Sequence, residues 1–126
     1  VASNGWQQVH ADGLYDVLVR LHRDYDVNVV ITENGLPDDT MGAPGDDQSR
    51  IDFLRDHLLA VQRATADGAS VLGYHAWSLL DNFEWARGYT QRWGLVHVDF
   101  DTQRRTPKTS ARCLADVINQ QSAPER

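Results

Sequence analysis

Two short apolar runs, at residues 27–32 and 71–77, constrain the fold of this chain more than any other sequence feature. In the first run, β-branched and apolar residues stand mostly at consecutive positions instead of alternating with polar ones. That pattern is typical of a strand buried on both faces, as in parallel sheets. Helical patterns precede, separate and follow the two runs, and the crossovers are long enough for a parallel pair. An α/β fold is therefore predicted, with a shorter strand at residues 95–100.

Three amphipathic helices are predicted around these strands. The first starts just after Asp12, which takes the N-cap position. The second starts at Ser49, with Asp52 completing a variant of the capping box, and Pro107 stands at the first position of the third. Apolar residues at helical spacing give the expected buried stripes: Leu14, Val17, Leu18, Leu21 and Tyr25; Ile51, Leu54, Leu58 and Val61; Ala111, Leu114 and Ile118.

Composition excludes several classes of partner. The 126 residues are one domain's length, and 18 acidic against 12 basic residues give a formal net charge of −6. Neither nucleic acid nor an anionic membrane surface is an expected partner of so acidic a chain, and its apolar runs are too short to span a bilayer. Cys113 is the only cysteine, and no signal-like segment opens the sequence. We therefore expect a reduced, cytoplasmic setting.

The tripeptide Glu33-Asn34-Gly35 directly follows the first predicted strand. Asn-Gly after a strand often indicates a hairpin, but residues 36–48 hold prolines, glycines and aspartates that cannot form a return strand. A loop is therefore expected at this end of the strand. Because desolvation of a carboxylate is costly, an acid at the end of a buried strand needs hydrogen-bond donors or a chemical task. Glu33 is accordingly the strongest single candidate for a functional residue.

The second strand runs into a stretch that holds Trp77, Asp81, Glu84 and Trp85. Flat indole faces together with carboxylate acceptors suit the binding of a sugar ring. In the alternative interpretation the aromatic residues are core and the acids lie on a solvated turn, and this pattern alone leaves both open. Glu33 with Glu84 would supply the two carboxyl groups that glycoside hydrolysis requires.

Metal sites and other cofactors are not expected. The five histidines are scattered, without an i, i+4 pair. The acidic loop at residues 36–48 lacks the frame of an EF-hand. Asp99 and Asp101 could be taken for the metal-binding pair of a sugar transferase, but two acids at this spacing arise readily by chance.

Taken together and in this order, two motifs resemble glycoside hydrolase family 1, the β-glucosidases and their relatives. They are Val-Ile-Thr-Glu-Asn-Gly at residues 30–35 and Trp-Ser-Leu-Leu-Asp-Asn-Phe-Glu-Trp at residues 77–85. The resemblance covers nearly the whole chain and continues at residues 13–15, 24–25, 88–89, 92–95, 98–99 and 105–108.

The resemblance implies the C-terminal part of a (β/α)8 TIM barrel, with its last two strands and their helices. Glu33 would be the nucleophile that forms the covalent glycosyl-enzyme, and Trp77 the platform beneath the sugar. Glu84 would bind the outer hydroxyls of the ring and Trp85 would donate its indole N–H to a neighbouring hydroxyl, so Glu84 would not be the second catalytic carboxyl. Trp93 stands where the family more often has Phe, near the sugar's primary hydroxyl.

The resemblance also implies an incomplete site. The family's acid/base belongs to a Thr-x-Asn-Glu-Pro motif on an earlier strand, and this sequence has no such motif. We interpret residues 1–126 as a single segment of the catalytic domain of a retaining β-glucosidase. It would hydrolyse a β-glucoside or a short β-linked oligosaccharide only together with the missing N-terminal part of the barrel, and copies of this chain are the other candidate partner. The alternative is a non-catalytic sugar-binding or assembly module, which would have no use for Glu33.

Overall fold

The computed structural model describes residues 5, 7–37 and 47–122. Within these ranges helices and strands alternate from α1 to β2, as an α/β fold requires. No helix there is both long and apolar enough to cross a membrane. In chain order they are α1 (Ala11–Tyr25), β1 (Val29–Asn34), α2 (Gln48–Ala66), β2 (Val71–Ala76), a 3-10 turn (Trp85–Arg87), β3 (Val96–Val98), β4 (Arg105–Pro107) and α3 (Thr109–Ser122).

The two predicted strands form a parallel pair, with α2 as the crossover between them. The chain does not turn back after Asn34, so the prediction of a loop instead of a hairpin is confirmed for its first residues. Most of that loop, residues 38–46, lies outside the described residues. The carboxyl ends of β1 and β2 therefore point in the same direction, which is the arrangement that gathers sites at one edge of a sheet.

Two buried clusters hold the helices against the sheet, and Tyr74 of β2 packs against both. Full burial of a leucine side chain such as Leu18 contributes roughly 1.5–3 kcal/mol. The first cluster is Leu18, Ile31, Ala64 and Ala69, and the second is Leu36, Phe53, Leu54 and Leu95.

Side chains of the parallel pair remain in contact with solvent. Val30 in β1 is 48% exposed and Leu72 in β2 is 67% exposed. The prediction that these strands are buried on both faces is therefore not met within the described part of the chain. The reason is that Val29, Ile31 and Val71 pack together with residues of α1 and α2, so the helices lie against one face of the pair. Successive side chains of a strand point to opposite faces, and the described residues provide no second layer on the other face.

The predicted helix caps are wrong. Helix α1 begins one residue before Asp12, whose carboxylate instead accepts a hydrogen bond from Arg63 of α2 at 2.9 Å. Helix α2 begins one residue before Ser49, and Asp52 accepts from Arg55 at 2.9 Å instead of reaching back to the backbone. Neither helix has a side-chain cap. A nearby guanidinium takes these carboxylates away from the capping role that the sequence pattern indicates.

The predicted start of the third helix is also wrong. Pro107 ends β4, where it lies opposite Val96 of β3 in an antiparallel pair, and α3 begins at Thr109. The strand expected at residues 95–100 is confirmed at its centre. Sequence analysis misses its partner β4, because a three-residue strand is too short to show a period.

The predicted buried stripes are right in part. Leu18 and Leu54 are buried, whereas Val17, Tyr25 and Ile118 are exposed. Each helix packs against a sheet of only two strands, so the central turns reach the core while the flanks and ends of the stripes face solvent.

Candidate active site

The two sequence motifs meet at the carboxyl ends of the parallel strands. Asn34, next to Glu33, lies opposite Ala76, next to Trp77. The backbone N–H of Trp77 donates to the Asn34 carbonyl at 2.9 Å, which continues the pairing past the end of β2. The structure thus brings Glu33 and Trp77 to one edge of the sheet.

Gly35 allows the two strand ends to approach closely. A Cβ atom at this position would stand 1.7 Å from the carbonyl oxygen of Trp77 and 2.8 Å from its carbonyl carbon. Both atoms are backbone, so they cannot move aside without moving the strand end. Gly35 is therefore required by backbone proximity, which the Asn-Gly pattern by itself does not reveal.

Glu33 and Trp77 are both open to solvent in this chain. Glu33 is exposed, and Trp77 is 38% exposed. The expectation that the Glu33 carboxylate is desolvated is not met here, because β1 has no strand on its other side within the described residues. An exposed carboxylate and an exposed indole face at one edge are available to a ligand.

The chain after Trp77 is held by a second set of backbone contacts. The Trp77–Ser78 peptide is cis. The N–H of Ser78 donates to the Trp93 carbonyl at 3.1 Å, and the N–H of Leu95 donates to the Ser78 carbonyl at 2.8 Å. These bonds tie the first residues of the second motif to the segment that leads into β3.

Asp81 is a structural carboxylate. Its side chain is fully buried and accepts hydrogen bonds from the backbone N–H groups of Gly94 (2.9 Å) and Val98 (3.2 Å). The Arg92 guanidinium and the Lys108 ammonium lie 3.2 and 3.3 Å from its oxygens. With two backbone donors and two cations around it, this carboxylate is occupied in holding the motif against β3.

Glu84 and Trp85 lie on a tight turn beyond the strand end. The N–H of Glu84 donates to the Gly88 carbonyl at 2.7 Å, and the N–H of Gly88 returns a bond to the Trp85 carbonyl at 3.0 Å. Trp85 has a φ of +42°, in the left-handed region that few residues other than glycine adopt. Its side chain is 83% exposed, whereas Glu84 is half-buried. The turn thus presents the indole of Trp85 outward.

Trp93 is enclosed, unlike the other two tryptophans of the candidate site. It is 7% exposed, and its indole Nε1 is shielded from solvent without a hydrogen-bond partner among the described residues. An unpaired buried donor costs about 1–3 kcal/mol. In this conformation the Trp93 ring is nearly enclosed and its N–H is shielded from solvent.

An aromatic chain that sequence analysis misses supports the motif from outside. The Phe83 and Tyr89 rings meet edge to face with centroids 5.5 Å apart, and Tyr89 lies 4.5 Å from Phe100. The Arg92 guanidinium covers the Phe100 ring at 4.3 Å. Such contacts contribute about 0.5–1.5 kcal/mol each. The residues share no spacing in sequence that could have indicated the cluster.

A buried ion pair links the segment after Glu33 to the segment before Trp93. Arg50 donates to the Leu36 carbonyl at 3.2 Å and to the Arg92 carbonyl at 2.8 Å. It also pairs with Asp47 at 2.8 Å, and Asp47 accepts from the backbone N–H of Ser110 at 3.1 Å and from the Ser110 hydroxyl. One guanidinium therefore fixes both candidate site segments, and it contacts residues too distant in sequence to be predicted.

Tyr74 supports the residue next to Glu33. Its hydroxyl donates to the Asn34 Oδ1 atom at 2.7 Å. Burial raises the pKa of Tyr74 above its usual value, because the ring sits among apolar side chains. The hydroxyl therefore stays protonated and remains a donor throughout the neutral range.

A carboxylate and an indole lie at the carboxyl ends of adjacent parallel strands that a helix crossover joins. Enzymes with an α/β barrel carry their active sites at this edge of the sheet. The chain matches the model of Glycosyl hydrolase family 1 over residues 1–123, and it belongs to that family.

Several similar proteins are named β-glucosidases, and a 6-phospho-beta-galactosidase of Streptococcus mutans is 47% identical over 82% of this chain. Beta-glucosidase A of Acetivibrio thermocellus is 48% identical over 118 residues, which cover 90% of this chain and 26% of that protein. The bifunctional beta-D-glucosidase/beta-D-fucosidase of Bifidobacterium breve is 49% identical over 84% of this chain and 25% of its own length. This chain therefore spans about a quarter of the curated relatives it matches.

Solved structures agree with the sequence matches. The family 1 β-glucosidase of Thermotoga maritima superposes with a TM-score of 0.89 at 38% identity, covering 98% of this chain and 29% of that one. The psychrophilic β-glucosidase BglU of Micrococcus antarcticus superposes with a TM-score of 0.87 at 43% identity, covering 97% and 27%. The predicted fold class, the C-terminal part of a (β/α)8 barrel, is thereby confirmed. This partial coverage of the barrel also explains why β1 and β2 have no strands on their outer sides among the residues that the structure describes.

Proposed function

We propose that this chain carries the nucleophile side of a retaining β-glucosidase site, with Glu33 forming the covalent glycosyl-enzyme. The enzyme hydrolyses terminal β-D-glucosyl residues of a β-glucoside or short β-linked oligosaccharide. The observation that carries the proposal is the position of Glu33 beside Trp77 at the carboxyl ends of adjacent parallel strands. Membership of the family and similarity to proteins named β-glucosidases support the same activity.

The chemistry requires a second carboxyl group. The Glu33 carboxylate attacks the anomeric carbon while the bond to the leaving oxygen breaks, and an acid about 5–5.5 Å away protonates that oxygen. The same group, now a base, takes a proton from water, whose oxygen then displaces Glu33. Asp81 is committed to its four contacts, and Glu84 lies on the turn beyond the strand end. We therefore assign the acid/base to the part of the barrel outside this sequence.

The sugar would be held by residues of the second motif. The exposed indole of Trp77 forms the platform beneath the ring, and Glu84 accepts hydrogen bonds from its outer hydroxyls. Trp85 donates its indole N–H to a neighbouring hydroxyl, which its outward position favours. Trp93 bounds the region of the primary hydroxyl through its ring.

The partner of this chain would be the rest of the barrel. Support comes from the exposed side chains Val30 and Leu72 and from a groove of about 760 Å³ between α2, β2 and α3. By this proposal, catalysis requires the remaining strands, while copies of this chain could cover the same surfaces without supplying the acid/base. The single cysteine, which leaves no disulfide within these 126 residues, supports a reduced, cytoplasmic setting.

The proposal is tested in a complemented barrel, in which this chain replaces the matching segment of Acetivibrio thermocellus β-glucosidase A. The complemented barrel should hydrolyse an aryl β-glucoside, and Glu33→Gln should abolish turnover without loss of folding. A fluorinated glucoside that traps the intermediate should label Glu33, as read by peptide mass spectrometry.

The control is Asp56→Asn, which makes the same carboxylate-to-amide change on the exposed side of α2 and should leave the rate unchanged. A label on Glu84 would contradict the proposed roles. A folded barrel that binds glucose but neither turns over nor labels would favour the non-catalytic module.

A further inference from the structure

The strand that carries Glu33 contains an extra residue just where Glu33 stands. Ile31 lies opposite Tyr74 and Asn34 opposite Ala76, so β1 uses three steps where β2 uses two. At the start of the pair the extra residue is in β2, because Val29 lies opposite Val71 and Val30 opposite Gly73. The two irregularities compensate, so β1 and β2 end at the same height. An extra residue bends a strand and changes the direction of the side chains beside it. The direction of Glu33 therefore depends on how this irregularity is held.

Asn34 is the residue at which regular pairing with β2 resumes after the irregularity. Two hydrogen bonds hold Asn34 in place. The backbone N–H of Trp77 donates to its carbonyl at 2.9 Å, and the Tyr74 hydroxyl donates to its Oδ1 at 2.7 Å. The first bond fixes the backbone of Asn34 and the second fixes its side chain. Glu33 lies between this doubly held residue and the buried Ile31.

The side chain of Tyr74, which donates the hydrogen bond to Asn34, is held firmly in place. Its ring packs against both core clusters, so the ring and its hydroxyl have little freedom to move. Burial raises the pKa of Tyr74, which keeps the proton on the hydroxyl that donates to Asn34. The core of the domain is thereby connected to the residue adjacent to Glu33 through one hydrogen bond.

We propose that Tyr74 is a positioning residue for the nucleophile, acting through Asn34 to fix the direction in which Glu33 leaves the strand. The inference rests on the proposed catalytic role of Glu33. Tyr74 itself reaches the reaction only through Asn34. Removal of its hydroxyl frees the Asn34 side chain and loosens the backbone that carries the nucleophile.

The test is Tyr74→Phe in the complemented barrel, since phenylalanine keeps the packing of the ring. A misplacement of about 1 Å costs about 100-fold in rate, so we expect the rate of trapping by a fluorinated glucoside and kcat to fall about 10- to 100-fold. KM should change little, because the groups that bind the sugar are not altered. If Tyr74 served only stability, Tyr74→Phe would lower the melting temperature but would not slow trapping at temperatures well below that melting temperature.

Tyr15→Phe is the matched control. The Tyr15 ring also packs against a core cluster, and its hydroxyl donates to a side-chain oxygen, that of Asp67 at 2.6 Å, but this bond is exposed to solvent. The same chemical change there should leave trapping and kcat unchanged.

Asn34→Ala removes the Tyr74 bond from its other end and should reproduce the loss of rate. In the Asn34→Ala background, Tyr74→Phe should have almost no further effect, because residues that act through one bond are not additive. Asn34→Ala also serves if Tyr74→Phe does not fold.

The outcomes separate the two proposals. An active parent barrel that labels Glu33, with Tyr74→Phe or Asn34→Ala at the parent's trapping rate, would overturn the role of Tyr74 alone. Additive effects of the two substitutions would also overturn it. A folded parent barrel without turnover and without a label on Glu33 would refute the proposed function, and the role of Tyr74 with it.

Discussion

At the scale of single residues, the candidate site separates groups that face solvent from groups that hold them. Glu33, Trp77 and Trp85 are exposed, whereas Asp81 and Arg50 are buried and bonded to the backbone of the site segments. The exposed residues are available for a ligand because the buried ones satisfy the surrounding carbonyl and N–H groups. Asp81 pairs with Arg92, and Arg50 pairs with Asp47. Removing one partner of a buried ion pair typically lowers the free energy of unfolding by about 3–5 kcal/mol, because an uncompensated charge remains.

The proposed sugar contacts can be tested by truncation. In the complemented barrel, Trp77→Ala removes the ring platform and Glu84→Ala removes charge-assisted hydrogen bonds, worth roughly 1.5–3 kcal/mol. Each should weaken inhibition by glucose about 10-fold or more, and kcat should fall as well, since hydroxyl contacts can tighten in the transition state.

The control for this pair is Tyr25→Ala, which removes an exposed aromatic ring at the end of α1, and it should leave inhibition and kcat as in the parent. Unchanged kinetics in both site variants would contradict the proposed sugar contacts of Trp77 and Glu84.

At the scale of elements, sequence periodicity predicts what extends over several turns or strand residues. The parallel pair and its crossover helix follow from apolar runs and helical spacing, and the motifs at the strand ends point to Glu33 and Trp77. The ion pairs of Asp12 and Asp52 could not be predicted from sequence. Arg63 reaches Asp12 only after the chain has folded, and Arg55 reaches Asp52 only in a suitable rotamer. Tyr74 as a support for Asn34 is likewise a contact between distant positions, with no local pattern.

Gly35 is the element-scale position with the clearest steric requirement. Gly35→Ala would drive a methyl group into the backbone carbonyl of Trp77. We expect the complemented barrel to lose about 1–3 kcal/mol of stability, as in other overpacked sites, and most of its activity, because the two strand ends must separate.

Gly73→Ala is the matched control within β2, since its Cβ would meet Val30 Cγ1 at an ordinary 3.5 Å. Urea unfolding and kcat of the two variants make the comparison. A Gly35→Ala barrel as stable and active as the Gly73→Ala barrel would contradict the steric argument.

At the scale of the whole molecule, this chain is a sector of a barrel with open sides. Within the described part of the chain, β1 and β2 each have one paired neighbour, and an outer strand edge of this kind leaves N–H and C=O groups without a ladder partner. The apolar side chains Val30 and Leu72 meet water. The two core clusters fasten helices to strands but do not close the sheet. The stability of the sector therefore depends on what pairs with β1 and β2.

The 126-residue chain by itself should aggregate, oligomerise or remain partly molten, and should not hydrolyse an aryl β-glucoside at a rate near that of the complemented barrel. Gel filtration, near-UV circular dichroism and the aryl glucoside assay measure this directly. Addition of the separately expressed remainder of Acetivibrio thermocellus β-glucosidase A should restore activity in proportion to complex formation.

A monomeric, cooperatively folding and fully active preparation of this chain alone would contradict the expectation. It would also require a second catalytic carboxyl within the sequence, and Glu84 would then be the first to test.

The ion pair of Arg50 and Asp47 has a consequence for the order in which the site is completed during synthesis. Arg50 holds the carbonyls of Leu36 and Arg92, while Asp47 is itself held by Ser110 at the start of the last helix. On a ribosome, the segment after Glu33 is made long before its final hydrogen-bond partners exist. The strand end that carries Glu33 is therefore one of the last features to become rigid, so a polypeptide interrupted before α3 carries Glu33 on an unfinished support.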